Sequence, residues 1–511
     1  AYDGGLEENK YHDQLAEDGF DIDGKEAMDD VNAGDGDVTV GKDKLGEEGA
    51  GSEGKEAYNG TKFVANENGG NLIVTSAAGL VLNTGNASAS VTAGAAVSTN
   101  EINNSFNAGI KGGSITTSGN TNVKAESDTL MIGVAAGAAV GTSAQGAVAT
   151  GSGSTLELQN NTIAEIEDAT VNASTTSVDA KTKSRLINVA GQVSVGKGNV
   201  TAGASVAIND LDNLTGAYVR GAHLTSGNVN VIANNKSKNY AIAAGVVAST
   251  NQQSGAANGN VAINKGGNST EAIVDEYKET ETNEGERGSI NNATDINVTA
   301  TDNTVLKAIA GGVTIGSGYV SIGGTVAYNE ISGQRNIASL SNNDITTLEN
   351  STIDVKAIDT SDLLTIAAGG SVSTAQQSGV AQGSVAVAQI GKFTEASMSG
   401  SNINATSDNQ NAAVSVVADS DTSLTTSADV LSVGMGYVSA GAGVAVTKSD
   451  ADTKAIIAGG EHNVKSELVQ ADSNNEMFTI GIGVSATGGQ GGSLAGNVAV
   501  NNITNDTEAV I

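Results

Sequence analysis

A box of the form small–x–Val–small–x returns eight times between residues 95 and 501, and this repetition limits the fold more than any other feature. Its clearest copies are Ala204-Ser-Val206-Ala-Ile-Asn209, Gly259-Asn-Val261-Ala-Ile-Asn264 and Gly324-Thr-Val326-Ala-Tyr-Asn329. The others are Ala95-Ala-Val97-Ser-Thr-Asn100, a weaker Gly146-Ala-Val148-Ala-Thr150, Gly383-Ser-Val385-Ala-Val387, Ala442-Gly-Val444-Ala-Val446 and Gly496-Asn-Val498-Ala-Val-Asn501. Their Val residues lie 51, 58, 55, 65, 59, 59 and 54 residues apart. A period of this length marks a solenoid or an array.

Two further boxes keep step with the first. One is Thr-Glu-Ala or a relative, as at Thr270, Thr394, Thr453 and Thr507. The other is Val-x-Ala followed by polar residues, starting at Val231, Val298, Val355, Val416 and Val469. Each unit thus holds at least four short alternating segments separated by Gly, Asn, Ser and Asp, which is strand chemistry. Immunoglobulin-like sandwiches need about a hundred residues each and bulky side chains to fill their interior. The expectation is therefore an all-β, elongated β-solenoid (parallel β-helix) of about eight 51–65-residue repeat units. At roughly 20–25 residues per rung, each unit would hold two or three rungs, and the whole would be a rod on the order of 100 Å long. Val326 and Val385 are assigned to its narrow core, and Ser341 to a turn. The turns Gly316-Ser-Gly318, Gln376-Gln-Ser378 and Gly434-Met-Gly436 also read as hairpins. An antiparallel β repeat array is thus the alternative.

Composition agrees with close-packed strands. The 511 residues include 67 Gly but no Pro, Cys or Trp, and aromatics reach 3%. Pro would remove ladder donors, so a chain made almost wholly of strands excludes it. The net charge of −32 argues against nucleic acid as a partner. Residues 1–60 hold 18 acidic residues against 5 Lys, a net of −13, and read as a loop-like cap or linker. Residues 61–511 read as the repetitive segment, incomplete at its C-terminal end because Ile511 falls in mid-repeat. No signal peptide reads at the start, so the segment is expected to be mature or internal.

The Gly-Ser-Val-Ala-Val box at 383–387, Asn501-Asn-Ile503 and the Thr-Glu-Ala box at 507–509 resemble the repeats of leukotoxin-type large filamentous adhesins, passengers of two-partner or autotransporter secretion. The resemblance covers about residues 75–511. It implies a β-helical passenger, export through an outer-membrane translocator, and a secreted or cell-surface location. It also implies a role in adhesion or cytotoxicity. The partners it implies are a receptor or glycan on a host or neighbouring cell. A self-assembling homo-oligomer or end-to-end filament is the third reading, since an open β-helix end exposes strand edges.

Candidate chemistry is sparse, and no enzyme is expected. Gly191-Gln-Val-Ser-Val-Gly196-Lys197-Gly198 nearly spells a phosphate loop but ends in Gly rather than Ser or Thr, and strand chemistry follows it. Asp21, Asp23 and Gly24 resemble the middle of a calcium loop whose outer ligand positions fail. Asp21, Asp23, Asp35 and Asp37 are therefore only weak calcium candidates, and no other cofactor is expected. Asp302, Asp359, Asp419 and Asp472 read as turn caps that could line up cations. His12, His223 and His462 have no metal-ligand spacing.

Overall fold

The computed structural model describes residues 60–65, 70–83, 90–277, 285–405 and 412–511. The acidic segment expected over 1–60 lies outside the described residues except for Gly60, and so do Asp21, Asp23, Asp35, Asp37 and His12.

Alternation is long and unbroken. In Val320–Ser341 nearly every second side chain is buried, and the same period runs through the other long strands described. Strands are numbered along the chain. One sheet holds β1 (Gly60–Ala65), β2 (Gly70–Asn83), β4 (Ser114–Thr116), β5 (Asn120–Gly141), β7 (Thr170–Gly196), β9 (His223–Ser249), β12 (Gly288–Gly316), β14 (Asn343–Ser373), β16 (Asn402–Ala405), β17 (Ala413–Gly434) and β19 (Ser466–Thr487). The other holds β3 (Val91–Lys111), β6 (Ala147–Glu167), β8 (Val200–Arg220), β10 (Gly255–Gly266), β11 (Ser269–Asp275), β13 (Val320–Ser341), β15 (Gly379–Ser399), β18 (Val438–Ala458) and β20 (Gly492–Val510). The ladders between these strands are parallel, as in β12 on β14 and β13 on β15. Among the described residues only the isolated Tyr277–Glu286 bridge is antiparallel.

This is the parallel β-helix, in a form flatter than expected. The chain crosses from β12 into β13 at Ser317-Gly318-Tyr319, and those strands belong to different sheets. The turns that read as hairpins are therefore corners, and the antiparallel alternative fails. A Cβ on Gly318 would collide with the Ser254 backbone in the corner of the adjoining turn, and one on Gly436 with Ser378. Glycine recurs there because the corners lie directly on one another. At the opposite corner the backbone takes left-handed φ at Gly112, Asp168, Gly221, Asn342, Gly400 and Gly459, residues that tolerate it.

One repeat makes one whole turn: one long strand in each sheet, rather than two or three rungs. In-register partners confirm the count: Val206 pairs with Val261, Val261 with Val326, and Val326 with Val385. Stacked at about 4.8 Å, eight turns rise only about 34 Å, whereas a 22-residue strand runs about 70 Å. The expected ~100 Å rod is thus a broad, thin slab. The weak box at Val148 is out of register, because Val97 pairs with Gly153 while Val148 sits beside Thr92 and Thr201.

The assigned core face is also reversed. Val326 is 37% exposed and Val385 36%, while Thr325, Ala327, Ser384 and Ala386 are buried. Ser341 is buried at the end of β13 rather than in an exposed turn. The interior changes along the strands. At one end Val298, Ile353, Leu340 and Met398 belong to a wide aliphatic cluster. Toward the Gly318 corner a ladder of Ala190, Ala243, Ala310, Ala327, Ala386 and Ala445 lets the sheets draw together. A Cβ on Gly137 would stand 2.7 Å from the Gly151 carbonyl oxygen in the facing sheet.

Candidate functional site

Between these apolar regions the inward positions turn polar. Along β12 they read Ala300, Asp302, Thr304, Leu306, with apolar residues on both sides. Asp302 Oδ2 accepts hydrogen bonds from Asn235 Nδ2 and Thr270 Oγ1, each at 2.8 Å. Its Oδ1 accepts from Thr304 Oγ1 at 2.7 Å and Gln334 Nε2 at 3.2 Å. Gln334 Nε2 also donates to Asp359 Oδ2 at 2.7 Å, linking two turns of the solenoid. Lys392 Nζ donates to Asp359 Oδ1 at 2.7 Å and to the Asp421 carbonyl oxygen at 3.0 Å. The Lys392 and Asp359 side chains are fully buried. On the other side the network continues through Asn235 to Asn213, Ser184 and Asn160.

Charge in this seam is not balanced. Lys392 offsets one carboxylate, and two are buried. Burial, followed by repulsion from Asp359, pushes Asp302 up to about 7 against the pull of its donors. A proton on Asp302 makes the cluster neutral. With no exposed edge, the seam cannot meet a substrate. It can fix register, because a one-residue slip of β14 would turn Asp359 outward and leave Lys392 buried without its partner.

The four aspartates expected to form one row of turn caps therefore divide. Asp302 and Asp359 lie inside, in mid-strand. Asp419 pairs in register with Ile358 and Asp472, one position off the inward column, so both face outward. Sequence reading missed Lys392 and Gln334 altogether. The available signal was the alternation that continues through Asp302 to Val305 and Leu306 without a Gly.

The other singled-out residues do not converge. Gly191–Gly196 ends β7, and Lys197-Gly198-Asn199 turns directly into β8. His223 Nδ1 lies 3.0 Å from Ser289 Oγ. His462 Nδ1 lies 2.7 Å from Glu467 Oε1, and its Nε2 lies 3.2 Å from the Ser401 carbonyl oxygen. Among the described residues no group of three or more His, Cys, Asp or Glu is placed to hold a metal ion.

Two solvent-facing features adjoin one another on the β3–β20 sheet. Where Gly267 and Asn268 separate β10 from β11, a notch of about 490 Å³ is lined by Asp210, Asp212, Glu330 and Lys265. Burial, and then Asp210, raise Asp212 above the ordinary carboxylate range. The notch presents acceptors suited to a hydroxyl-rich ligand. Beside it the outer face of the β3–β20 sheet is apolar. Val97, Gly153, Val206, Val261, Val326, Val385, Val444 and Val498 stack in register. The next column is Ala95, Gly151, Ala204, Gly259, Gly324, Gly383, Ala442 and Gly496. The columns that start at Val91, Ala93 and Thr99 carry only Val, Ala, Gly, Ile, Leu, Thr and Tyr.

No family model, curated protein or solved structure matches this chain.

Proposed function

We propose that the chain is a non-catalytic adhesive or stalk segment of a secreted bacterial surface protein. The observation supporting this reading is the in-register stacking, which repeats outward residue types turn after turn at about 4.8 Å. A partner met by one turn meets similar neighbours on the next, and such multivalent contact raises avidity without a deep pocket. The polar notch at Asp210, Asp212 and Glu330 offers hydrogen-bond acceptors to a glycan on a host or neighbouring cell. Export through an outer-membrane translocator belongs to the same reading.

Surfaces coated with the full chain should hold epithelial cells in a saturable way, and glycosidase treatment of the cells should reduce the attachment. Attachment no greater than to an albumin-coated surface, with the protein correctly folded, would refute the adhesive role. Lysis of blood cells by the soluble chain would favour a cytotoxic role in its place.

A further inference from the structure

The outer face of the β3–β20 sheet is a large apolar surface that no described residue covers. Its five columns and eight turns contain no charged side chain, and charge begins at the adjoining column of Glu101, Glu157, Asp210, Lys265 and Glu330. From strand geometry it measures about 27 Å along the strands and about 34 Å across them, or roughly 900 Å². Soluble monomers rarely expose contiguous apolar patches of that size.

Its relief narrows the choice of occupant. The aligned Val side chains form a ridge, and the Gly/Ala column beside it forms a trough. A Cβ added at Gly151, Gly259, Gly324, Gly383 or Gly496 would meet nothing within 4 Å, and none of them has positive φ. Nothing inside the chain requires glycine at these positions, and glycine weakens a strand interior. A bilayer would favour bulky aliphatic groups there. A trough of bare backbone is suited to the close approach of another sheet.

We propose that this face pairs with the same face of a second copy. A two-fold axis parallel to the columns, midway between the Val and Gly columns, sets the ridge of each copy into the trough of the other. The solenoid axes then run in the same direction, so pairing leaves both ends of each slab free. Four apolar columns of each copy then face four of the other, with the Val91 column at the rim beside the partner's charged column. About 1,350 Å² of apolar surface is buried in total, within the range of stable protein interfaces. The pairing does not depend on the adhesive reading.

Sedimentation velocity of the full chain is the test, with the wild type compared with the double variant Gly324→Val, Gly383→Val. The wild type should sediment at twice the 50.5 kDa chain mass at micromolar concentration. The variant should keep its strand circular dichroism, resist heat at least as well, and dimerise at least about tenfold more weakly. Val326→Lys attacks the ridge from a position already exposed in one copy, so it covers failure of the double variant to fold. A monomeric wild type, or variants that pair as tightly as the wild type, would overturn the proposal. So would a monomeric wild type that binds phosphatidylcholine vesicles, with binding strengthened by the valines, because lipid would then be the occupant.

Discussion

Replacing Lys392 with Met removes the cation from the buried seam and keeps most of its volume. The Nζ leaves two acceptors behind, Asp359 Oδ1 at 2.7 Å and the Asp421 carbonyl oxygen at 3.0 Å. The Asp359 carboxylate keeps Ser361 and Gln334 as donors but loses the charge that offset it, and Asp302 remains nearby. Breaking a fully buried pair from one side typically costs about 3–5 kcal/mol. Because repeat solenoids can open turn by turn, the loss should be read locally by native-state hydrogen exchange of β14 and β15. At about 1.4 kcal/mol per decade, protection there should fall by roughly 10²- to 10³-fold or more. Changing Asp359 to Leu as well should restore most of it, since a buried ion pair replaced by apolar groups is often neutral. Protection within about threefold of wild type in the single variant would refute the buried pair.

Asp302 should make the β12–β13 region sensitive to pH. Its folded value, near 7, exceeds the ordinary value of about 3.9, so the folded form holds a proton that the unfolded chain has lost between those limits. Stability from this group is full below about pH 4 and is lost as pH rises through about 7. Hydrogen exchange should show that slope, and Asp302→Asn should abolish it. Ala327→Asp buries a charge against the alanine ladder and should cost several kcal/mol, whereas Val326→Asp should leave a single copy folded. Equal thermal melting losses at these two adjacent positions would contradict the assigned faces. Gly318→Val, which meets the Ser254 backbone, should destabilise by about 1–3 kcal/mol, and chemical denaturation checks it.

The alternation and the period were legible in the sequence; the phase and the number of rungs were not. In β12 the more apolar side of the alternation points inward at Val298 and Ala300, but outward at Ile309, Val313 and Ile315. Hydrophobicity alone therefore reverses the core at the thin end, where the close sheets hold mostly Ala, Ser, Thr, Asn and Gln with an occasional Val such as Val247 or Val380. Hydrophobicity accordingly assigns Val326 and Val385 to the inside, whereas they face out. The rung count failed for a related reason. Polar inward residues such as Asp302 and Asp359 resemble turn caps, which divides strands of 29 and 31 residues into several short segments. Gln334 and Lys392 gave no sign of their roles, because their partners Asp302 and Asp359 stand on strands of the facing sheet 25 to 33 residues away.

The central claim, one repeat per turn, is open to a single distance. The chain has no native Cys, so Val97→Cys and Val498→Cys can carry spin labels at exposed positions of one in-register column. Seven strand spacings separate them, or about 34 Å. Double electron–electron resonance on labelled chains diluted into unlabelled protein should find a distribution centred near that value, within the reach of the label arms. Two or three rungs per repeat would instead place the labels about 70–100 Å apart, and a distance in that range would contradict the account.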